Sequence, residues 1–469
     1  MFRRTIAVVL IVLMVLGGWH MAPTLAQEDN TIMVLAAAES ETPVMAWLDG
    51  FAAQNPDFSF VLSLFGDDAS LAENIAGADL LVYPNFEDAP PIDFECGTIS
   101  RAYVLLPDLG ARYLASTDCG DVVSPKTPIM VDLLKFMVSP DGQQIAIDLG
   151  LLPNVIEVTD QGGVTVQVPQ PVRHIASAYG VATYYAYVVG AADRIVAASY
   201  IGAKGPAVQD TLRKIDPGFD ARFNAMSALN QNEINLEEVA ALQTDLILSS
   251  ARAQWLDSAA ELGIPILRFE GETPERLIEA MTVIGAALGP DAAYRAAQFN
   301  AYYQQVLEQI SAEVTQLNAA PAKVYFSGTE PLRVASGEMY QSEMIELAGG
   351  VSVGAELTGF WNDVNLEQIA VWDPDVIFVP TYGGASVEAI TGAAEWGILR
   401  AVQDGKVYQL PQFISPWDTP LPDSILGIIW MAETLHEGLD LGCEDQASYF
   451  YNEFYGYNIS DEETMGLCN

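Results

Sequence analysis

The 469-residue chain is short of positive charge: 20 Lys and Arg stand against 62 Asp and Glu, a formal net charge of −42. Such a surface repels nucleic acid and anionic lipid and keeps a protein soluble and monomeric, so nucleic acid is excluded as a partner. Histidine is scarcer still, with three residues, His20, His174 and His436. A bare Zn²⁺ or Mn²⁺ site needs several imidazoles, so a histidine-rich metal centre is excluded and no resident metal or cofactor is expected. The four cysteines, Cys96, Cys119, Cys443 and Cys468, form no C-x-x-C pair, which removes the usual redox and zinc spacings. Also absent are a G-x-S-x-G elbow, a Walker A loop and a G-x-G-x-x-G turn. An enzyme therefore has little support, and no catalytic residue is assigned.

Long apolar runs are missing beyond the first residues. MFRRTIAVVLIVLMVLGGWHMAPTLAQ has Arg3 and Arg4, an apolar stretch from Ile6 to Gly18, and the small-residue site Thr24-Leu25-Ala26. It reads as a secretory leader, residues 1–26, too short for the roughly 20 apolar residues of a membrane span. Export to the periplasm or the outer face of the cytoplasmic membrane makes disulfides plausible. Of the three pairings that four cysteines permit, nearness along the chain favours Cys96–Cys119 and Cys443–Cys468.

What is present is a sentence written twice. NLEEVAALQTDLILS begins at Asn235 and NLEQIAVWDPDVIFV at Asn365, with Asn, Leu, Glu, Ala, Asp and Ile shared in register. Asn is a good helix N-cap, and Glu237 and Glu367 fall in the first turn, where the helix dipole favours negative charge. An apolar stripe then runs to Asp245 or Asp375 and into an apolar burst, which is a helix feeding a buried strand. A βα layer built twice predicts two similar lobes with a cleft between them. The stretch Asp291 to Leu317 has no internal Gly or Pro. At 1.5 Å per residue its helix reaches about 40 Å, enough to bridge two lobes.

The ordered set of motifs resembles the class III substrate-binding proteins of ABC importers, the group that captures ferric siderophores, haem and vitamin B12. VTVQVPQPVRHIASAYGVATYYAYVVGAADRIVAAS is similar to that family's first strand–helix–strand. The two NLE motifs match its paired motifs, SGEMYQSEMIELAGG its second-lobe loop and helix, and GKVYQLP with ILGIIWMAETL its closing strand and helix. Ahead of this, TIMVLAAAESETPVMAWLDGFAAQNPDFSFVLSLF and DLLKFMVSPDGQQIAIDLGLLP resemble the two ends of a type 2 solute-binding lobe.

The resemblance implies an α/β protein with two Rossmann-like βα lobes bridged by one long helix, plus a small N-terminal α/β domain. The expected divisions are 31–152 for a truncated, single-lobed domain, 153–172 for a linker and leading hairpin and 173–272 for the first lobe. The helical bridge follows at 273–317, the second lobe at 318–440, and an acidic, aromatic tail at 441–469, read as a helix plus a turn on the surface. It also implies that Glu237 and Glu367 dock to arginines of a membrane permease. The ligand pocket is expected between the lobes, with Tyr179, Tyr200, Arg252, Trp255, Tyr340, Trp361, Tyr382 and Trp417 as lining candidates. Aromatic faces suit large, partly apolar ligands, and Arg holds oxyanions bidentately. Asp418 in SPWDTPLPDS reads equally as a turn former and as a ligand contact. A ferric siderophore is the favoured cargo. Corrinoid, haem and an oxyanion remain open, and WDTPLPDSILGIIW resembles the molybdate and tungstate branch. A cell-surface scaffold is the rival outside transport.

Overall fold

A computed structural model describes residues 30–74, 78–83, 98–106, 110–118, 126–199, 206–224, 235–253, 256, 263–271 and 273–468. The expected leader, Cys96, Cys119, Tyr200 and Trp255 lie outside the described residues. Among those described, no helix is long and apolar enough to cross a membrane.

The N-terminal domain comprises β1 (Thr31–Ala37), α1 (Glu41–Gln54), β2 (Ser59–Phe65), α2 (Asp68–Asn74) and β3 (Leu80–Tyr83). It continues with β4 (Thr98–Leu106), β5 (Gly110–Asp118), α3 (Thr127–Val138) and α4 (Pro140–Asp148). One five-stranded sheet, ordered β2-β1-β3-β5-β4, carries these helices. β5 runs antiparallel to β3, and β4 runs antiparallel to β5 at the edge. Ser139 separates α3 from α4 and caps the latter, its hydroxyl accepting from the Gly142 amide at 3.3 Å. Trp47, buried under α4, donates its indole N–H to the Gly142 carbonyl at 2.9 Å. A hairpin of β6 (Val155–Thr159) and β7 (Thr165–Pro169) follows. Asp160 at its turn is buried and accepts from Val164 and from the Arg268 amide, which fixes the hairpin to the next lobe.

The first lobe contains β8 (Ile175–Ser177), α5 (Gly180–Val188), β9 (Ile195–Ala198), α6 (Pro206–Ile215) and α7 (Phe219–Asn224), then α8 (Leu236–Ala241), β10 (Leu246–Ser250) and β11 (Ile266–Phe269). Its sheet is wholly parallel, in the order β11-β10-β8-β9. Two helices, α9 (Pro274–Leu288) and α10 (Pro290–Leu317), lead to the second lobe. That lobe has β12 (Lys323–Phe326), β13 (Arg333–Ala335), α11 (Tyr340–Leu347), β14 (Val351–Ser352), β15 (Trp361–Asp363) and α12 (Leu366–Trp372). It closes with β16 (Val376–Val379), α13 (Val387–Thr391), α14 (Arg400–Gln403), β17 (Val407–Gln409) and α15 (Ser424–Leu435). Its main sheet, β14-β12-β16-β17, is again parallel.

The repeated motif explains this likeness at atomic level. Asn235 and Asn365 cap α8 and α12 by accepting from the Glu238 and Gln368 amides at 3.2 and 2.8 Å. The shared aspartates then clamp the next strand to its neighbour. Asp245 accepts from the amides of Arg173 and His174 ahead of β8, and Asp375 from that of Lys323 in β12. Asp79 does the same to Met33 of β1 at 2.8 Å, so the device occurs in each of the three larger sheets. In each, a carboxylate satisfies an amide at the strand mouth that the ladder leaves over.

The predicted bridge is a single 28-residue helix, α10. Its buried positions Ala292, Ala296, Phe299, Tyr303, Val306 and Ile310 recur at three- and four-residue steps, one apolar stripe along its length. Both lobes and this stripe share one continuous core.

The tail departs from expectation. It forms α16 (Cys443–Tyr455) and α17 (Asp461–Cys468), and α16 is a core helix that buries Ala447, Phe450, Tyr451 and Phe454. These fall on one helical face, and their rings pack on the bridge, Phe454 at 5.4 Å and Phe450 at 6.4 Å from Phe299. The acidic residues conceal this stripe in composition because they occupy the opposite face. Cys443 and Cys468 are joined as a disulfide, with Cα atoms 5.8 Å apart, and tie the ends of α16 and α17 together.

The N-terminal domain meets the body at the elbow between α9 and α10. Gly289, at φ +106°, turns the chain there, and a Cβ would come within 2.6 Å of Gln143. The α9 carbonyl of Leu288 accepts from Arg194 of the first lobe at 2.7 Å and from Gln143 of α4 at 3.4 Å. Arg194 also reaches the Val138 carbonyl of α3, and Arg173 pairs with Asp141 at 2.5 Å.

Candidate functional site

In a parallel α/β sheet, ligands gather beyond the carboxyl ends of the strands. In the first lobe those ends lead to Tyr179 after β8 and Arg252 after β10; in the second, to Gly328 after β12 and Tyr382 after β16. Segments 360–361 and 412–420 complete the second lobe's side. The lobes meet along this seam. The Arg252 guanidinium lies over the Phe360 ring at 4.8 Å, a cation–π contact between lobes. Tyr185 of α5 donates to the Pro420 carbonyl at 3.4 Å, and Tyr184 to that of Ile414 at 3.5 Å. Gly271 permits this approach, because a Cβ there would lie 2.1 Å from the Tyr185 hydroxyl oxygen.

Four candidates are on the seam. Tyr179 is half-buried as the N-cap residue of α5, and Arg252 is exposed. Trp361 is half-buried with its ring 6.4 Å from Phe326, and it presses so closely on Gly328 that a Cβ there would be 2.7 Å from the indole. Tyr382 donates its hydroxyl to Asp418 at 2.6 Å. Burial, followed by the Asp418 charge, pushes that phenol far up, so it remains a protonated donor. Asp418 is fully buried, and its backbone carbonyl accepts from Gln341 at 2.9 Å. It is a fixed anchor beneath the seam rather than an open ligand group.

Tyr340 and Trp417 are elsewhere. Tyr340 is buried, its hydroxyl in a cluster with Ser424 at 2.6 Å and Tyr303 at 3.0 Å. Trp417 is buried too, and its indole donates to the Tyr451 hydroxyl at 2.9 Å. Tyr451 and Tyr455 in turn donate to Asp423 at 3.0 and 2.9 Å. Both candidates move from the lining to the core, where partners from distant segments satisfy their polar ends. Phe360, which the sequence reading passed over, is 55 % exposed on the seam; its only signal was the aromatic pair Phe360-Trp361.

Glu237 and Glu367 are both exposed, each in the first turn of its helix. Among the described residues neither has a hydrogen-bond or ion-pair partner. The two histidines within the described residues are engaged separately: His174 with the Gln243 carbonyl and His436 with that of Ala348, each at 3.0 Å.

Two parallel βα lobes, joined by one helix and facing each other across their strand ends, define a solute-binding protein. Residues 175–413 match the family described as periplasmic binding protein, slightly more than half of the chain, and the chain belongs to that family. It is 23 % identical over 256 residues to the molybdate-binding protein MolA of Haemophilus influenzae, covering 48 % of this chain and 70 % of MolA. It is 30 % identical over 152 residues to the vitamin B12-binding protein of Yersinia pestis, covering 31 % of this chain and 52 % of that relative. A solved periplasmic solute-binding protein from Veillonella parvula superposes with a TM-score of 0.60 at 25 % identity, over 67 % of this chain and 97 % of that one. Molybdate-bound MolA superposes with a TM-score of 0.57 at 18 % identity, over 65 % and 99 %.

Proposed function

We propose that this chain is the extracytoplasmic substrate-binding component of an ABC importer, a monomer that holds a small molecule in the interlobe seam and delivers it to a membrane permease. The observation that carries this reading is the pair of unpartnered, exposed carboxylates, Glu237 and Glu367, at equivalent first turns of two like lobes. A carboxylate on each lobe suits a partner that presents arginines at two points.

The favoured cargo is an iron complex of the ferric siderophore type. Tyr179, Phe360, Trp361 and Tyr382 offer aromatic area, which suits a large, partly apolar chelate. The formal charge of −42 also opposes entry of a bare dianion. Likeness to MolA favours a second reading, molybdate or tungstate held through Arg252. Corrinoid is the third, from the vitamin B12-binding relative.

Native mass spectrometry of the protein from its source, then thermal shifts with ferric siderophores, cobalamin, haem and molybdate, separates these. A ligand at 100 times its Kd stabilises by about 2.7 kcal/mol. A shift with molybdate alone overturns the iron-complex reading; no shift with any class counts against import and in favour of a scaffold.

A further inference from the structure

Beside Glu367 the second lobe carries a groove that the ligand seam does not use. It has a volume of about 890 Å³, and Val353, Leu357, Val364 and Trp372 give it an apolar floor. One wall is β14, the edge strand of the sheet, whose Val351 is 43 % exposed. Exposed Glu356 and Asp363 form the rim. Among the described residues no Lys or Arg lines the groove; two cations stand at its edges, Lys323 with its ammonium 3.2 Å from the Trp372 carbonyl and Arg333 at 3.6 Å from Asp363. At its end the groove runs into Asn365 and Gln368, which flank Glu367 in the first turn of α12.

We infer that this groove receives a segment of the permease in which basic residues flank apolar ones. The inference rests on the reading of Glu367 as a docking carboxylate and extends that contact from a point to a surface. An apolar floor inside an anionic rim is complementary to such a segment and to no acidic one. Continuity with Glu367 sets the occupant: a permease arginine on that carboxylate brings the adjoining chain over the groove mouth. The floor then supplies area burial, while the rim supplies orientation and encounter rate.

The test uses the full-length, cargo-loaded protein and the importer's permease reconstituted in nanodiscs. Glu356→Lys/Asp363→Lys, a double reversal of exposed side chains, is expected to weaken binding at least about tenfold and to flatten its salt dependence. Leu357→Ser is expected to weaken it about fivefold or more through the floor, with the salt dependence kept. Cargo affinity and the thermal midpoint of the charge-reversal variant serve as folding controls. A Glu237→Lys/Glu367→Lys variant is run in parallel. If both groove variants bind within about twofold of wild type while that variant fails, the groove inference is overturned and the docking pair stands. If the groove variants lose binding and the Glu237/Glu367 variant does not, the groove is the contact and the docking pair is wrong. Equal binding by all variants overturns both.

Discussion

Asp423→Asn should remove a pH dependence from the fold. The Asp423 carboxylate is fully buried between the tyrosines of α16, with Tyr451 and Tyr455 donating at 3.0 and 2.9 Å. Burial pushes its carboxyl up to about 6, and the two phenol donors only partly offset that. Unfolded aspartate titrates near about 3.9, so the folded state binds this proton more tightly. Its contribution is therefore complete below about pH 4 and is lost as pH rises through about 6. About two units at 1.36 kcal/mol each make the loss roughly 3 kcal/mol. Asn has no charge to bury at any pH and keeps one acceptor for a tyrosine. Urea unfolding of wild type and variant at intervals from about pH 4.5 to 8 measures the difference, which should move by roughly 2–3 kcal/mol in favour of the variant as pH rises. Taking the difference cancels other groups, including half-buried Glu343, which burial and then Glu275 push up to about 7. Tyr455→Phe should move the window upward, because it removes a donor to the anion. A stability difference that stays flat over the whole range refutes the reasoning.

Reduction of Cys443–Cys468, which closes a sequence separation of 25, should lower stability by about 3.5 kcal/mol on the loop-entropy relation, read as the shift in urea midpoint with and without dithiothreitol. Gly354→Ala would set a Cβ 2.1 Å from the Ala335 carbonyl oxygen, so a loss of about 1–3 kcal/mol is expected in thermal unfolding. Arg252→Ala should weaken cargo binding at least about tenfold with little change in melting, because the side chain is exposed and on the seam; unchanged affinity by calorimetry would remove Arg252 from the site. Deleting residues 31–152 should leave cargo affinity within about tenfold while lowering the melting temperature, since Gln143 and Asp141 leave the elbow with that domain.

The two lobes were legible because a repeated motif is a strong signal: the same Asn cap, first-turn Glu and strand-mouth Asp recur with the same geometry. The bridge was legible for a related reason, a long run free of Gly and Pro with apolar residues at helical steps. Strands β4 and β5 were not, because both add to the sheet antiparallel at its far edge and carry no βα punctuation. Nor could the fates of Tyr340 and Trp417 be read locally. A polar aromatic is buried only where a partner meets its hydroxyl or indole N–H, and those partners, Ser424 and Tyr451, lie 84 and 34 residues away. Tyr179, Arg252 and Tyr382 sit just beyond strands, a position that the strand–helix alternation does give away, whereas Trp361 opens the short strand β15.

The Leu288 carbonyl at the α9–α10 elbow takes one donor from the first lobe and one from the N-terminal domain. A helix ends with acceptors to spare, and here one spare acceptor serves as a shared socket for two separately folded units. The N-terminal domain is thereby geared to the frame that carries both lobes, not strung ahead of them on a tether. A rotation of that domain would pull on the same oxygen that Arg194 holds, so the elbow senses both units at once. A junction of this kind needs few residues: one amide side chain, Gln143, reaching a helix-end carbonyl is enough to turn a neighbouring domain into a brace.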